Sequence, residues 1–141
     1  MQIVDLRAEH CMNLGTLVPV HSGYQMTPDL AVELESIGGL AALDNGKTLA
    51  VAGVLPDWRA CGTAWAWLGR GWRKHARAIT SAACIHLDLS PLRRIETAVR
   101  CDFEPGHRWA ERLGFTLETP CARSWGADGR DYSIYVRVRE S

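Results

Sequence analysis

The order of elements between residues 61 and 100 restricts the fold more than any other feature of this sequence. In the segment CGTAWAWLG (61–69), Trp65 and Trp67 alternate with alanines, as the two faces of a strand require. The residues that follow place apolar side chains at helical spacing, and RRIETAVR (93–100) is a second strand pattern. A strand, a helix and a strand in this order predict a right-handed crossover between parallel strands.

Hairpins and short helices account for the rest of the chain. Asn45-Gly46 stands between two apolar runs in LAALDNGKTLAVAGVL (40–55), which is a strong signal for a two-residue hairpin turn. In the segment 26–39, Thr27 can cap a helix, Pro28 suits its first position, and Gly38 ends it. The remaining patterns predict a strand at 2–7, a short helix and turn at 8–18, a helix at 104–115, and a last hairpin formed by 116–125 and 130–138 around GADG.

These elements predict an α/β fold with the order β-α-α-β-β-β-α-β-α-β-β. The sheet is mixed and mostly antiparallel, its fourth and fifth strands are parallel, and helices cover both faces. A length of 141 residues with 47% hydrophobic and 23% charged residues fits a single domain, 1–141, with a core of its own.

Composition also excludes several classes of function. A formal net charge of zero argues against nucleic-acid binding, and no apolar stretch is long enough for a membrane helix. The first ten residues lack a basic leader followed by an apolar segment, so we expect no signal peptide and a cytoplasmic protein. The five cysteines are odd in number and widely spaced, which favours reduced, mostly buried thiols and predicts no metal site.

A basic cluster lies where the fourth predicted strand gives way to its helix. Within residues 70–77 stand Arg70, Arg73, Lys74 and Arg77, with His75 among them. The cluster could bind nucleic acid, bind a phosphorylated cofactor, or be a solvated helix face. Cations at a helix N-terminus oppose the macrodipole unless an anion lies there, which favours the cofactor.

The segment ETAVRCDFEPGHRWAERLGFTLE (96–118) resembles the GNAT family of N-acetyltransferases. Members carry a strand ending in valine, a short helix, and Leu-Gly-Phe opening the next strand, which match Val99, the helix from Pro105, and 113–115. Their pyrophosphate loop, Q/R-x-x-G-x-G/A, is matched by R-x-x-A-x-A at 73–78. Alanine at 76 disfavours the left-handed dihedrals that glycine allows, so the cations would compensate by direct phosphate contacts.

The resemblance implies a GNAT-like acyl-CoA N-acyltransferase fold with acetyl-CoA between the fourth and fifth strands. It further implies an enzyme that moves an acetyl group to an amine by direct attack, while a backbone N–H around Ala66 to Leu68 polarises the thioester carbonyl. The cofactor-binding residues it implies are Ala66, Trp67 and Leu68 on the strand, and Arg73, Lys74, His75, Ala76, Arg77 and Ala78 in the loop.

The residues at the catalytic positions of the family differ in this sequence. Ala110 stands where members often place a tyrosine that protonates the leaving thiolate, and Phe103 lies near the position of a common asparagine. The fourth strand carries no carboxylate that could act as a general base. By the chemistry of their side chains, the candidates for a catalytic role are His107, Asp102 and Glu33. His21 and Tyr24 are further candidates.

Two alternatives stay open, and the amine acceptor is unidentified. The altered loop, the missing tyrosine and the ending GADGRDYSIYVRV are similar to GNAT-like proteins of tailed phages and prophages. In that interpretation the chain is a structural or assembly protein with degenerate or absent cofactor binding, and virion proteins are its partners. Nucleic-acid binding through residues 70–77 is the third hypothesis. A homodimer is compatible with each of them, because exposed sheet edges can pair.

Overall fold

The computed structural model describes residues 1–14, 17–18 and 26–140. Its strands are β1 (Gln2–Asp5), β2 (Leu17–Val18), β3 (Leu40–Asp44), β4 (Lys47–Trp58), β5 (Cys61–Gly69), β6 (Arg94–Arg100), β7 (Thr116–Ala122) and β8 (Tyr132–Val138). Its helices are α1 (Ala8–Met12), α2 (Pro28–Ile37), α3 (Ala76–Leu89) and α4 (Glu104–Arg112), and a 3₁₀ turn (Trp72–His75) leads into α3.

The strands form one mixed sheet in the order β1-β3-β4-β5-β6-β8-β7, with β2 paired to β5. The β5–β6 pair is parallel and the other named pairs are antiparallel, which confirms the predicted fold class. The crossover through α3 therefore sets the topology, as the sequence indicated.

The strand β2 is an element that the sequence pattern did not predict. Its two residues, Leu17 and Val18, pair with Gly69 and Leu68 inside a segment that we expected to be helix and turn. Two residues are too short to show the alternation that identifies a strand. Two of the catalytic candidates, His21 and Tyr24, lie outside the described residues.

The helix α2 follows its local signals. The side chain of Thr27 accepts a hydrogen bond from the N–H of Leu30 at 3.2 Å, Pro28 opens the helix, and Gly38 ends it with φ +103°. Ala31 and Leu34 are buried against the sheet. The cap and the ending fix the bounds of α2, and its buried side chains identify the face that packs on the sheet.

The core consists of apolar side chains on both faces of the sheet. On one face Trp65 and Trp67 pack with Val51 and Leu34 beneath α1 and α2. On the other face, Val54, Ile95 and Val99 of the sheet pack against Leu87 of α3 and Ala110 of α4. Helices on both faces were predicted, and the tryptophans alternate with Ala64 and Ala66 as the pattern indicated.

The expectation of mostly buried cysteines is wrong. Only Cys11 is buried, and burial raises the pKa of its thiol to about 11. Cys61 and Cys84 are half-buried, while Cys101 and Cys121 are exposed, because they lie where β6 ends and on the edge strand β7. Among the described residues, no helix is both long enough and apolar enough to span a membrane.

Candidate functional site

The parallel strands β5 and β6 pair over only three residues each and then separate. The pairs are Cys61 with Arg94, Gly62 with Ile95, and Thr63 with Glu96. Just beyond them, the hydroxyl of Thr97 donates a hydrogen bond to the carbonyl oxygen of Ala64 at 3.2 Å. From there the two strands leave a gap in the middle of the sheet.

The backbone of Ala66 faces this gap. The carbonyl of Ala64 points toward β6, and residues two apart on a strand direct their backbone groups to the same edge. At Leu68 that edge pairs with Val18 of β2. Of the strand residues predicted to bind a cofactor, Ala66 presents its backbone to the gap and Trp67 presents its side chain to the cavity described next, whereas Leu68 pairs with β2.

A cavity of about 720 Å³ passes through the gap and has a lobe on each face of the sheet. The α3-side lobe is lined mostly by small and apolar side chains, including Ala64, Ala66, Ala83, His86, Gly106, Trp109, Ala110 and Phe115. The α2-side lobe combines aromatic and aliphatic walls with three carboxylates, and its lining includes Leu30, Glu33, Trp65, Trp67, Glu96, Glu118, Trp125 and Ile134.

The basic cluster forms an exposed loop and the first turn of α3. The side chains of Arg70, Arg73, Lys74 and Arg77 are exposed, and none of them forms an ion pair within the described part of the chain. Arg77 and Ala78 lie in the first turn of α3, and the N–H of Ala76 already donates to the carbonyl oxygen of Arg73 in the 3₁₀ turn. The exposed cations and the positive end of the helix dipole together make this end of α3 suitable for an anion.

The dihedral angles of the loop remove the difficulty expected for alanine at position 76. Ala76 has φ −56° and ψ −39°, which is ordinary right-handed helix. The left-handed residue is Gly71, with φ +93° and ψ −4°. Glycine is therefore needed five residues earlier than the family pattern suggested, and the alanine costs nothing in backbone strain.

The predicted loop residue His75 points elsewhere. Its Nε2 lies 3.5 Å from a carboxylate oxygen of Asp44, at the end of β3. This contact ties the 3₁₀ turn to the β3–β4 hairpin.

Trp109 of α4 separates the basic loop from the cavity. No residue of 70–78 lines the cavity, whereas Trp109 does. The indole N–H of Trp109 donates to the hydroxyl of Thr80 in α3 at 2.9 Å, and its ring centroid lies 5.8 Å from that of Trp72 in the 3₁₀ turn. Trp109 is therefore a residue of the cavity wall that also contacts the 3₁₀ turn and α3.

The structure brings one of the three catalytic candidates within its described residues to the cavity. Glu33 lines the α2-side lobe, whereas His107 and Asp102 are not part of the lining. The imidazole of His107 lies 2.8 Å from the hydroxyl of Tyr135 and 3.1 Å from the carbonyl oxygen of Cys101, so both ring nitrogens have partners.

Asp102 is held at the surface by two arginines. Its carboxylate lies 2.6 Å from Arg100 and 3.8 Å from Arg130. The hydrogen bond from Arg100 lowers the pKa of Asp102, which keeps this carboxyl ionised. Glu33, in contrast, has no hydrogen-bond or ion-pair partner among the described residues.

Several residues at the cavity were missed by sequence reasoning. Glu96 and Glu118 share one guanidinium: Arg94 lies 2.6 Å from Glu96 and donates to the second oxygen of Glu118 at 3.0 Å. That contact lowers the pKa of Glu118. Glu96 could have been noticed as a carboxylate inside an otherwise apolar strand beside the crossover, but nothing local marks Glu118 or Trp125. His86 is half-buried and lines the α3-side lobe.

Comparison with known proteins identifies the fold. No family model matches the sequence, and no curated protein matches it. An acetyltransferase of the GNAT family from Streptococcus pneumoniae superposes with a TM-score of 0.74 at 14% identity, covering 98% of this chain and 99% of that one. Ard1 from Thermoplasma volcanium gives 0.77 at 13% identity over 99% and 98% of the two chains. The structure of yncA from Salmonella typhimurium with its cofactor acetyl-CoA gives 0.77 at 13% identity over 100% and 95%. Identities this low establish shared architecture, and this chain has the fold of the GNAT acetyltransferases.

Proposed function

We propose that this protein is an N-acetyltransferase that transfers the acetyl group of acetyl-CoA to an amine. The observation that carries the proposal is the cavity through the gap between β5 and β6. It brings the backbone of Ala66 within reach of ligands from both faces of the sheet. The α3-side lobe lies on the face that carries the exposed cations at the start of α3, and the α2-side lobe contains the carboxylates.

The residues present fit an acyl-CoA ligand. Four exposed cations that have no partner among the described residues surround a helix start, an arrangement that an anion such as a pyrophosphate stabilises. The small side chains of Ala64, Ala83, Gly106 and Ala110 leave an apolar passage on the α3 side that suits a slender chain. Arg73, Lys74 and Arg77 would hold the phosphates, and Ala66 would lie beside the thioester end.

The chain's own groups suit the transfer chemistry. Acetyl-CoA supplies the acetyl group as a thioester. The N–H of Ala66 is fixed by the sheet and can donate to a carbonyl oxygen in the gap, which stabilises negative charge on that oxygen. Glu33 can accept a proton from the amine through a water molecule, and the apolar walls hold the amine in place.

The experiment is calorimetric titration with acetyl-CoA and CoA, followed by an assay of thiol release with an amine panel. We expect both ligands to bind, and the double variant Arg73→Ala, Arg77→Ala to bind at least about 10-fold more weakly, because two charge-assisted contacts are lost. Arg93→Ala is the matched control, since Arg93 is exposed, has no side-chain partner in the described structure, and precedes β6 at the opposite end of β5.

Two results would count against the proposal. Absence of binding at about 1 mM ligand, which corresponds to about 4 kcal/mol of binding free energy, would exclude the transferase function. That result is also what the phage assembly alternative predicts. Unchanged affinity in the double variant would show that the phosphates lie elsewhere on the surface.

A further inference from the structure

We infer that the acceptor of this enzyme is a primary amine on an apolar body, without a carboxylate group. The inference rests on the proposed acetyltransferase function and names the substrate class of its α2-side lobe. The charges of the lobe and the chemistry of its walls indicate this class.

Among the described residues, the charged groups that line the cavity are all carboxylates. No described lysine or arginine is part of the lining, and the three carboxylates, Glu33, Glu96 and Glu118, belong to the α2-side lobe. The guanidinium of Arg94 forms ion pairs with two of them, Glu96 and Glu118. The lobe therefore carries excess negative charge and favours a cationic ligand.

Arg94 is not available to a substrate. Its Nε and one terminal nitrogen donate to Glu96 at 2.9 and 2.6 Å, and its other terminal nitrogen donates to Glu118 at 3.0 Å. Both carboxylates are thereby paired within the protein. An acceptor that carries its own carboxylate finds no free cation here and meets like charge, which is the basis for its exclusion.

Glu33 is the carboxylate left for the ammonium group. It lies on α2 between Leu30 and Leu34, at helical spacings of i+3 and i+4 that put all three on the face lining the lobe. It has no partner in the described chain. An ammonium group that enters the lobe can pair with Glu33, while its apolar body contacts the walls of the lobe.

The remaining wall is apolar and largely aromatic. Trp65 and Trp67 stand with ring centroids 5.5 Å apart, and Trp125 and Ile134 line the same lobe. Such walls stabilise a hydrocarbon or aromatic body and, through their ring faces, a cation. A polycation carries several charges, and the described residues of the lobe offer it one unpaired carboxylate, Glu33.

The test is calorimetric binding of four amines, each with and without CoA: phenethylamine, phenylalanine, phenylalaninamide and spermidine. Phenethylamine and phenylalanine differ only by the carboxylate, and the amide restores a neutral group at that position. We expect phenethylamine and the amide to bind at least about 10-fold more tightly than phenylalanine, and phenethylamine more tightly than spermidine. The variant Glu33→Gln should weaken phenethylamine by about 10-fold and leave the affinity for acetyl-CoA unchanged. Asp29→Asn is the control, because Asp29 lies on α2 outside the cavity lining.

The outcomes separate this inference from the proposed function. If phenylalanine or spermidine binds as tightly as phenethylamine, or if Glu33→Gln binds phenethylamine normally, the acceptor class is overturned while acetyl-CoA binding stands. If the protein binds phenethylamine selectively but binds no acetyl-CoA, the acceptor lobe is supported and the transferase function is overturned.

Discussion

Single residues in the loop before α3 decide whether it can hold a phosphate group. The family pattern places a glycine where this chain has Ala76, and the structure shows that Ala76 begins an ordinary helical turn. The residue with left-handed backbone is Gly71. Alanine at position 76 therefore does not disturb the backbone. The residue that needs a left-handed conformation is Gly71, which lies outside the motif.

This assignment predicts opposite tolerance at the two positions. Gly71→Ala should lower the free energy of unfolding by about 1–2 kcal/mol, because an L-residue with φ +93° is strained. The nearest atom to an added Cβ is Leu49 Cδ2 at 3.7 Å, an ordinary contact, so crowding adds nothing. Urea unfolding measures the change, and Ala76→Gly, with a cost below about 1 kcal/mol, is the comparison. Equal stability of Gly71→Ala and the wild type would contradict the left-handed assignment.

At the scale of elements, α3 and α4 meet at Trp109, between the basic loop and the cavity. The bond to Thr80 and the contact with Trp72 hold its indole against α3 and the 3₁₀ turn. A ligand held at both the loop and Ala66 changes the surroundings of this side chain. The junction of the two helices is thus a place where binding can be observed directly.

Tryptophan fluorescence should report that change. We expect acetyl-CoA to alter the emission of the wild type, and Trp109→Phe to lose most of the alteration, because Trp109 is the tryptophan in contact with the 3₁₀ turn that also lines the α3-side lobe. Trp125→Phe, whose site is in the α2-side lobe, should retain the change in emission on acetyl-CoA binding. A response that survives in Trp109→Phe while calorimetry shows binding would place the ligand on another path.

Across the whole molecule, ion pairs connect arginines of β6 and β8 to carboxylates on other elements and loops. Arg94 on β6 reaches Glu118 on β7, although β8 lies between these strands in the sheet. Arg137 on β8 contacts Asp88 on α3, and Arg100 contacts Asp102 beyond the end of β6. These contacts favour the charged forms of their carboxyl groups in the folded state.

Stability should accordingly fall in acid. The pKa values of Glu118 and Asp102 are lowered by Arg94 and Arg100, and that of Asp128 is lowered by the backbone N–H of Arg130. A folded-state pKa below the unfolded value contributes stability above the unfolded pKa, and this contribution is lost as pH falls through the folded value. We expect the free energy of unfolding, measured in urea, to decrease below about pH 5. Glu118→Gln should show a shallower decrease, and a rise in stability toward acid would contradict these directions.

The sequence by itself determined the elements and their order, except for β2. Thr27, the Asn45-Gly46 turn and the alternation of Trp65 and Trp67 act over a few residues, so each could be read locally, and the rule for crossovers then left few topologies. It also located the basic loop, although the glycine that the loop requires lay outside the motif.

Only the tertiary structure decided which side chains meet. Glu33, Glu96 and Glu118 come from α2, β6 and β7 and line one cavity, which lies where β5 and β6 stop pairing after Thr63. The same long-range packing turned His75 toward Asp44 and gave both nitrogens of His107 partners in the protein. The position at which two strands stop pairing depends on contacts between residues far apart in the chain. No local hydrophobic periodicity or motif encodes that position.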